Sequence, residues 1–262
     1  AVLFIMVFCQ ATHCGPSRSS LLSGISTLNY DGIPLKPEEL APGKITLPAT
    51  FQKAGYYTIN NGKIFHQRED GKMAWSEEPF SLVNGPKENN HLTFHEKKSA
   101  NYILEKNQRG PFFEAPDVPD NTYIDGQTCD KTIADLKRLA KMDQPFFLAC
   151  GFVRPHLPFY APKKYWDMYQ RQEIELANNR HKPKNAPDAL KGSGEFGSYH
   201  HRNIEYNSDQ FHLISRHGYY ACISYVGIRA DENREGYKSN KETITPVFPF
   251  VEDGIMRGDV LN

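Results

Sequence analysis

Four side chains stand out as able to do chemistry together: Cys14, Lys63, His66 and His156, with Arg18 close behind the first. Cys14 heads the stretch Cys14-Gly-Pro-Ser-Arg-Ser-Ser-Leu-Leu-Ser-Gly24. Pro16 fixes φ just inside a predicted helix, where its missing N–H costs nothing. Gly24 suits the left-handed residue that ends such a helix. Leu21 and Leu22 are expected on its inward side. The stretch therefore places a thiol at a helix N-terminus, among unsatisfied backbone N–H groups and beside a guanidinium, an environment that attracts anions. The competing reading is a structural cysteine at the start of an ordinary helix. A Cys-x5-Arg phosphatase loop is excluded, because Arg18 follows Cys14 by four residues.

Lys63 and His66 lie in Gly55-Tyr-Tyr-Thr-Ile-Asn-Asn-Gly-Lys-Ile-Phe-His66, and His156 lies in Arg154-Pro-His-Leu-Pro158. Taken alone, these are equally a solvated lysine, a loop histidine and a histidine held between prolines. Arg154 is a further candidate cation. The pair His200 and His201 is expected on the surface.

The elements that must position these groups alternate between helix and strand. Residues 1–9 and 145–152 are apolar runs expected as buried strands, and 56–60 is a run of β-favouring residues. Helices are expected over 17–24, 47–54 (with Thr46 as cap and Pro48 inside its start), 129–142, 162–169 and 210–225. Residues 29–45 are expected as loop. Two polar stretches, 67–128 and 178–206, are expected as loop-rich insertions, the first with short helices near 96–105. The alternation predicts an α/β fold with a mostly parallel central sheet sandwiched by helices. Sites of such sheets lie at the carboxyl ends of strands. Cys14, Lys63 and His156 each follow a predicted strand, so one rim is expected to gather all three.

The Cys14 stretch resembles the signature Cys-x-Pro-Ser-Arg-x-x-x-Leu-x-Gly of the sulfatase family, formylglycine-dependent members of the alkaline-phosphatase superfamily. The Gly-Tyr-x-Thr and Gly-Lys-x-x-His text around Lys63 resembles that family's second motif, in the form of its iduronate-2-sulfatase-like branch. The run from Pro145 to Pro162 is similar to text of the same branch, which ends in Lys-Pro-His-x-Pro-Phe. The resemblance spans about residues 2–225. It implies that Cys14 is oxidised to formylglycine by a formylglycine-generating enzyme, and that the aldehyde hydrate supplies the nucleophile. Lys63 would bind a sulfate oxygen, His66 would lie near position 14, His156 would contact the scissile sulfate, and His156 or His66 would protonate the leaving alcohol. Arg18 would steady position 14 and be read by the maturation enzyme. The implied substrate is a sulfated sugar or polysaccharide. A sulfate ester needs this set: cations around the sulfate, an in-line nucleophile and a proton donor.

The resemblance also implies a calcium ion held by acids and by the modified Cys14. The family's upstream Asp-Asp strand end would fall before residue 1, and its downstream strand end is not found as such; Glu252 and Asp253 offer at most degenerate ligands. The fold is thus expected to be incomplete at both ends. Residues 1–228 are expected to form a partial catalytic domain and 229–262 a divergent tail. Alternatives are a phosphonate or phosphodiester hydrolase of the same superfamily, and an inactive truncated fragment that at most binds sulfated glycans.

The bulk composition is permissive. Over 262 residues, Lys plus Arg equals Asp plus Glu at 31 each, so no net field recruits nucleic acid or an anionic membrane. Five cysteines form no Cys-x2-Cys pair, which argues against a zinc framework. No apolar run approaches the ~18 residues of a membrane span. The start 1–8 is read as a strand rather than a leader, because no basic segment precedes it. The family resemblance implies work outside the cytosol, in periplasm, secretion or lysosome.

Overall fold

The computed structural model describes residues 9–27, 36–67, 69–82, 92–96, 109–178, 183–187 and 194–238. Residues 1–8 of the strand expected over 1–9, residues 97–105 of the short helices expected near 96–105, and Glu252 and Asp253 lie outside them. The chain divides into two compact units. One comprises 1–91, 121–156 and 226–262; the other comprises 92–120 and 157–225.

In the first unit, helix α1 (Cys14–Ser23) is followed by the short α2 (Pro37–Leu40), helix α3 (Leu47–Lys53) and strand β1 (Tyr57–Gly62). Helix α4 (Ile124–Leu139) leads to strand β3 (Phe146–Gly151). β1 and β3 pair in parallel from Tyr57 opposite Phe146 to Gly62 opposite Gly151. Parallel pairing requires a crossover, and α4 lies within it. Their aromatic and β-branched residues account for the strands. A core of Leu22, Phe65, Trp75 and Phe147, with Phe51, Tyr56, Ile64 and Ala149 against it, ties α1, α3, the loop after β1 and β3 together. Phe51 stacks on Phe147 at 4.5 Å between ring centroids.

In the second unit, strands β2 (Phe113–Glu114) and β4 (Phe159–Tyr160) also pair in parallel. Short helix α5 (Lys163–Trp166) follows β4, and helix α6 (Asp209–Lys238) belongs to this unit as far as Tyr225 and to the first unit from Val226 on. Phe112, Tyr160, Tyr165 and Tyr199 are buried here. Gly218 of α6 permits close packing, since a Cβ there would stand 2.8 Å from both Phe159 Cβ and Trp166 Cη2. Parallel strands alternate with helices, so the chain is α/β, as the pattern predicts.

Several expectations are corrected. Leu21 is 44% exposed while Leu22 is buried; neighbouring helical residues point about 100° apart, so only one can face this core. Thr46 stands at the N-cap of α3 without a side-chain capping bond. Helix α4 begins five residues before Cys129, at Ile124. Gly126 in its first turn reads as a breaker, but Ile124, Gly126 and Thr128 are buried, and packing outweighs propensity. Helix α6 continues thirteen residues past Tyr225. The polar text after Tyr225 conceals a buried Arg229, whose guanidinium bonds the Gly126 carbonyl and Asp130. His200 and His201 are half-buried in the second unit: His200 Nδ1 accepts the Arg202 N–H at 2.8 Å, and the His201 ring stacks on Tyr206.

Candidate active site

Cys14 is the first residue of α1, with His13 at the N-cap in an extended conformation. Gly15, Pro16, Arg18, Ser19, Ser20 and Leu22 are buried, so the small residues of the motif let the helix sit close against its surroundings. Gly24 ends α1 with φ at 73°, its N–H bonded to the Ser20 carbonyl. The first N–H groups of such a helix lack intrahelical partners and face outward at its N-terminus, beside the half-buried Cys14.

The loop after β1 meets this helix end. Cys14 Sγ stands 3.4 Å from His66 Nδ1. The Arg18 guanidinium, 2% exposed, donates through Nη1 to the carbonyls of Lys63 at 2.8 Å and Ile64 at 2.9 Å. The arginine of the first motif thus holds the backbone of the second. Charge-assisted bonds of this kind are strong and directional. Lys63 itself extends the parallel ladder, its N–H donating to the Gly151 carbonyl at 2.9 Å.

His156 lies five residues beyond the end of β3, and Lys63 one residue beyond the end of β1. Both therefore leave the carboxyl ends of adjacent parallel strands. The segment carrying His156 is a tight turn: its N–H donates to the Val153 carbonyl at 3.1 Å. Asp125, in the first turn of α4 and buried, accepts the N–H groups of Val153 at 2.7 Å and Arg154 at 3.1 Å. Arg154 is 2% exposed and donates through Nη1 to the His156 carbonyl at 3.2 Å. Through that bond the buried side chain braces the backbone of the turn.

The groups with chemical potential, Cys14, Lys63, His66 and His156, are all half-buried, whereas the groups that hold them, Arg18, Asp125 and Arg154, are buried. Two other cysteines offer a contrast. Burial pushes the thiols of Cys129 and Cys150 up to about 12, so both stay protonated and inert at neutral pH.

Sequence reasoning passed over Asp125. An acid in a helix's first turn is a recognised signal, but it becomes readable only once the helix start is placed at Ile124. It also passed over the network on Asn61, whose buried amide donates to Asp135 at 2.9 Å and Thr132 at 3.3 Å and so fixes β1 to α4.

No group of three or more His, Cys, Asp or Glu side chains suited to a metal ion occurs among the described residues. A hard cation takes six to eight oxygen ligands. The described residues do not fit one, and the geometry above depends on none. Among the described residues no helix is long and apolar enough to cross a membrane.

The family model Sulfatase matches residues 1–227. Iduronate 2-sulfatase of Mus musculus is 32% identical over 197 residues, which is 71% of this chain and 34% of that protein. The Homo sapiens protein of the same name is 31% identical over 196 residues. A sulfatase of Formosa agariphila is 29% identical over 243 residues, 86% of this chain and 46% of that protein. The chain thus spans about a third of the length of the mammalian relatives. Among solved structures, the phosphonate monoester hydrolase of Agrobacterium radiobacter superposes with a TM-score of 0.53 at 17% identity, covering 88% of this chain and 51% of that one. At that identity the likeness concerns the fold alone.

Proposed function

Because this chain belongs to the sulfatase family, we propose that it carries the nucleophile-bearing part of a sulfuric ester hydrolase acting on a sulfated sugar or polysaccharide. The observation that carries this reading is the meeting of two motifs: Cys14 lies 3.4 Å from His66, and Arg18 is bonded to the backbone of Lys63. The mammalian and Formosa relatives, named as sulfatases, support sulfate over other esters.

In this reading Cys14 is converted to formylglycine by a formylglycine-generating enzyme. The aldehyde hydrate offers two hydroxyls, one to attack sulfur and one to release the product. His66, within reach of position 14, manages the proton there. Lys63 neutralises a sulfate oxygen, and His156 donates a proton to the departing alcohol. Arg18 keeps position 14 and the Lys63 backbone in register. The calcium ion expected from the resemblance would need ligands beyond the described residues. Work outside the cytosol goes with the same reading.

Co-expression with the maturation enzyme, followed by peptide mass spectrometry, tests the first step: the aldehyde should appear on the Cys14 peptide. Conversion of another cysteine in its place would sink the assignment. Lys63→Ala and His156→Ala should each weaken sulfate-ester turnover by the loss of a charge-assisted contact, about 1.5–3 kcal/mol. The second reading is a phosphonate or phosphodiester hydrolase of the same superfamily, some of which also carry a Cys-x-Pro-Ser-Arg motif. Rates on matched sulfate and phosphonate esters separate the two.

A further inference from the structure

The turn Val153–His156 is held at both ends by groups that no catalytic role requires to be there. Asp125 Oδ1 takes the Val153 N–H at 2.7 Å, and Oδ2 takes the Arg154 N–H at 3.1 Å. Each carboxylate oxygen thus accepts one amide of the turn. The Arg154 side chain then folds forward to the His156 carbonyl at 3.2 Å, and the His156 N–H closes on the Val153 carbonyl. Asp125 is 1% exposed and Arg154 2% exposed, while His156 alone in this group retains half-exposure. Ile124, the neighbour of Asp125, packs with Val153 and Leu82, so an apolar contact fixes the same approach. The carboxylate also sits in the first turn of α4, where the helix dipole favours negative charge.

A carboxylate in a dry site forms stronger bonds to backbone N–H than any neutral acceptor. Two such bonds to consecutive amides orient the backbone that leads into His156, and the Val153 and His156 backbone bond closes the turn. We propose that Asp125 is a positioning residue for His156: through the amides of Val153 and Arg154 it fixes where the imidazole stands at the carboxyl end of β3. This rests on the proposed reading of His156 as the group that meets the sulfate ester, but the geometry it claims is separately testable.

The test uses the full chain, isotope-labelled for NMR. In the wild type, the Val153 and Arg154 amides should exchange slowly with solvent; rapid exchange at both would overturn the proposal without any variant. Asp125→Asn keeps the shape but replaces one acceptor oxygen with an NH2 that faces an N–H. It should move the His156 ring signals and weaken their response to added inorganic sulfate. With a sulfate ester, kcat should fall roughly 10- to 100-fold, the scale of a misplaced catalytic group, with a smaller change in KM. If Asp125→Asn lowers the melting temperature yet leaves the His156 signals unmoved, Asp125 is only structural and the proposal fails. Should that variant not fold, Arg154→Lys keeps both amide bonds and removes the guanidinium from the His156 carbonyl; the ring signals should shift in it too, and their constancy would count against the pinned turn. Failure of the functional reading looks different: wild-type His156 signals indifferent to sulfate, with the two amides still protected.

Discussion

Gly62 and Gly151 lie opposite each other at the last pair of the β1–β3 ladder, and neither has room for a side chain. A Cβ on Gly62 would stand 2.0 Å from the Gly151 carbonyl oxygen, and one on Gly151 would stand 2.0 Å from the Lys63 carbonyl oxygen. Gly62 also has φ at 83°, a conformation that L side chains avoid. This close approach brings the chain out of β1 so that Lys63 continues the ladder and its carbonyl turns to Arg18.

Gly62→Ala should therefore add an overpacking cost of roughly 1–3 kcal/mol to a backbone strain of similar size, roughly 1–3 kcal/mol, about twice what strain alone would cost. Gly55→Ala provides the control, because Gly55 has φ at 87° but open space around it. Denaturant unfolding of the two variants measures the difference. Equal losses would mean that the contact with Gly151 contributes nothing.

Arg18→Lys should lose the paired bonds to the Lys63 and Ile64 carbonyls, because a lysine ammonium does not reproduce the guanidinium's planar geometry. A loss of about 1.5–3 kcal/mol is expected from hydrogen bonds to a charged group. Turnover of a sulfate ester should fall as well, since the same bonds keep His66 beside Cys14. A stable variant with unchanged turnover would argue that the two motifs meet without Arg18.

Cys14→Ser tests the two-hydroxyl chemistry. A serine has a single hydroxyl, so after attack on sulfur it has no second one to expel the product. Incubation with a sulfate ester should leave a sulfated serine at position 14 and at most one turnover, read by mass spectrometry and product release. Repeated turnover by this variant would remove the hydrate from the proposed mechanism.

The second unit should weaken in mild acid through His217. Its Nδ1 accepts from Arg171 at 3.2 Å, and its Nε2 donates to the Trp166 carbonyl at 2.7 Å, so the ring is held neutral. Burial, with the Arg171 charge in support, keeps this imidazole below the usual histidine range despite the pull of the Trp166 carbonyl. A histidine lowered in the folded state leaves the unfolded chain binding more protons, so stability rises with pH. That contribution is present above the ordinary value of about 6.5 and is lost as pH falls below it. Thermal melts at about pH 7.5 and about pH 5.5, on either side of that value, should show the decline. His217→Gln does not titrate and should lack that part of it.

The sequence alone determined the parts of this protein that depend on local rules. The helix at Cys14, with Pro16 near its start and Gly24 at its end, follows from φ preferences that need no tertiary partner. The strands at 57–62 and 146–151 follow from short apolar and β-favouring runs, and their parallel pairing from the helical pattern that separates them. The motif spacings named the family and its candidate residues. Tertiary structure decided what those residues touch. Arg18 is a polar side chain in sequence, yet it is buried against two carbonyls that lie 45 and 46 residues away. Asp125 is invisible as a support of His156 because its partners are backbone amides 28 and 29 residues on, and a backbone amide carries no signature in the side-chain text. Arg229 extended helix α6 for the same reason, since its partners Gly126 and Asp130 lie about a hundred residues earlier. Local propensity reads a few residues at a time, whereas buried polar groups are satisfied by whatever the packed chain brings within 3 Å, and only the folded geometry selects those partners.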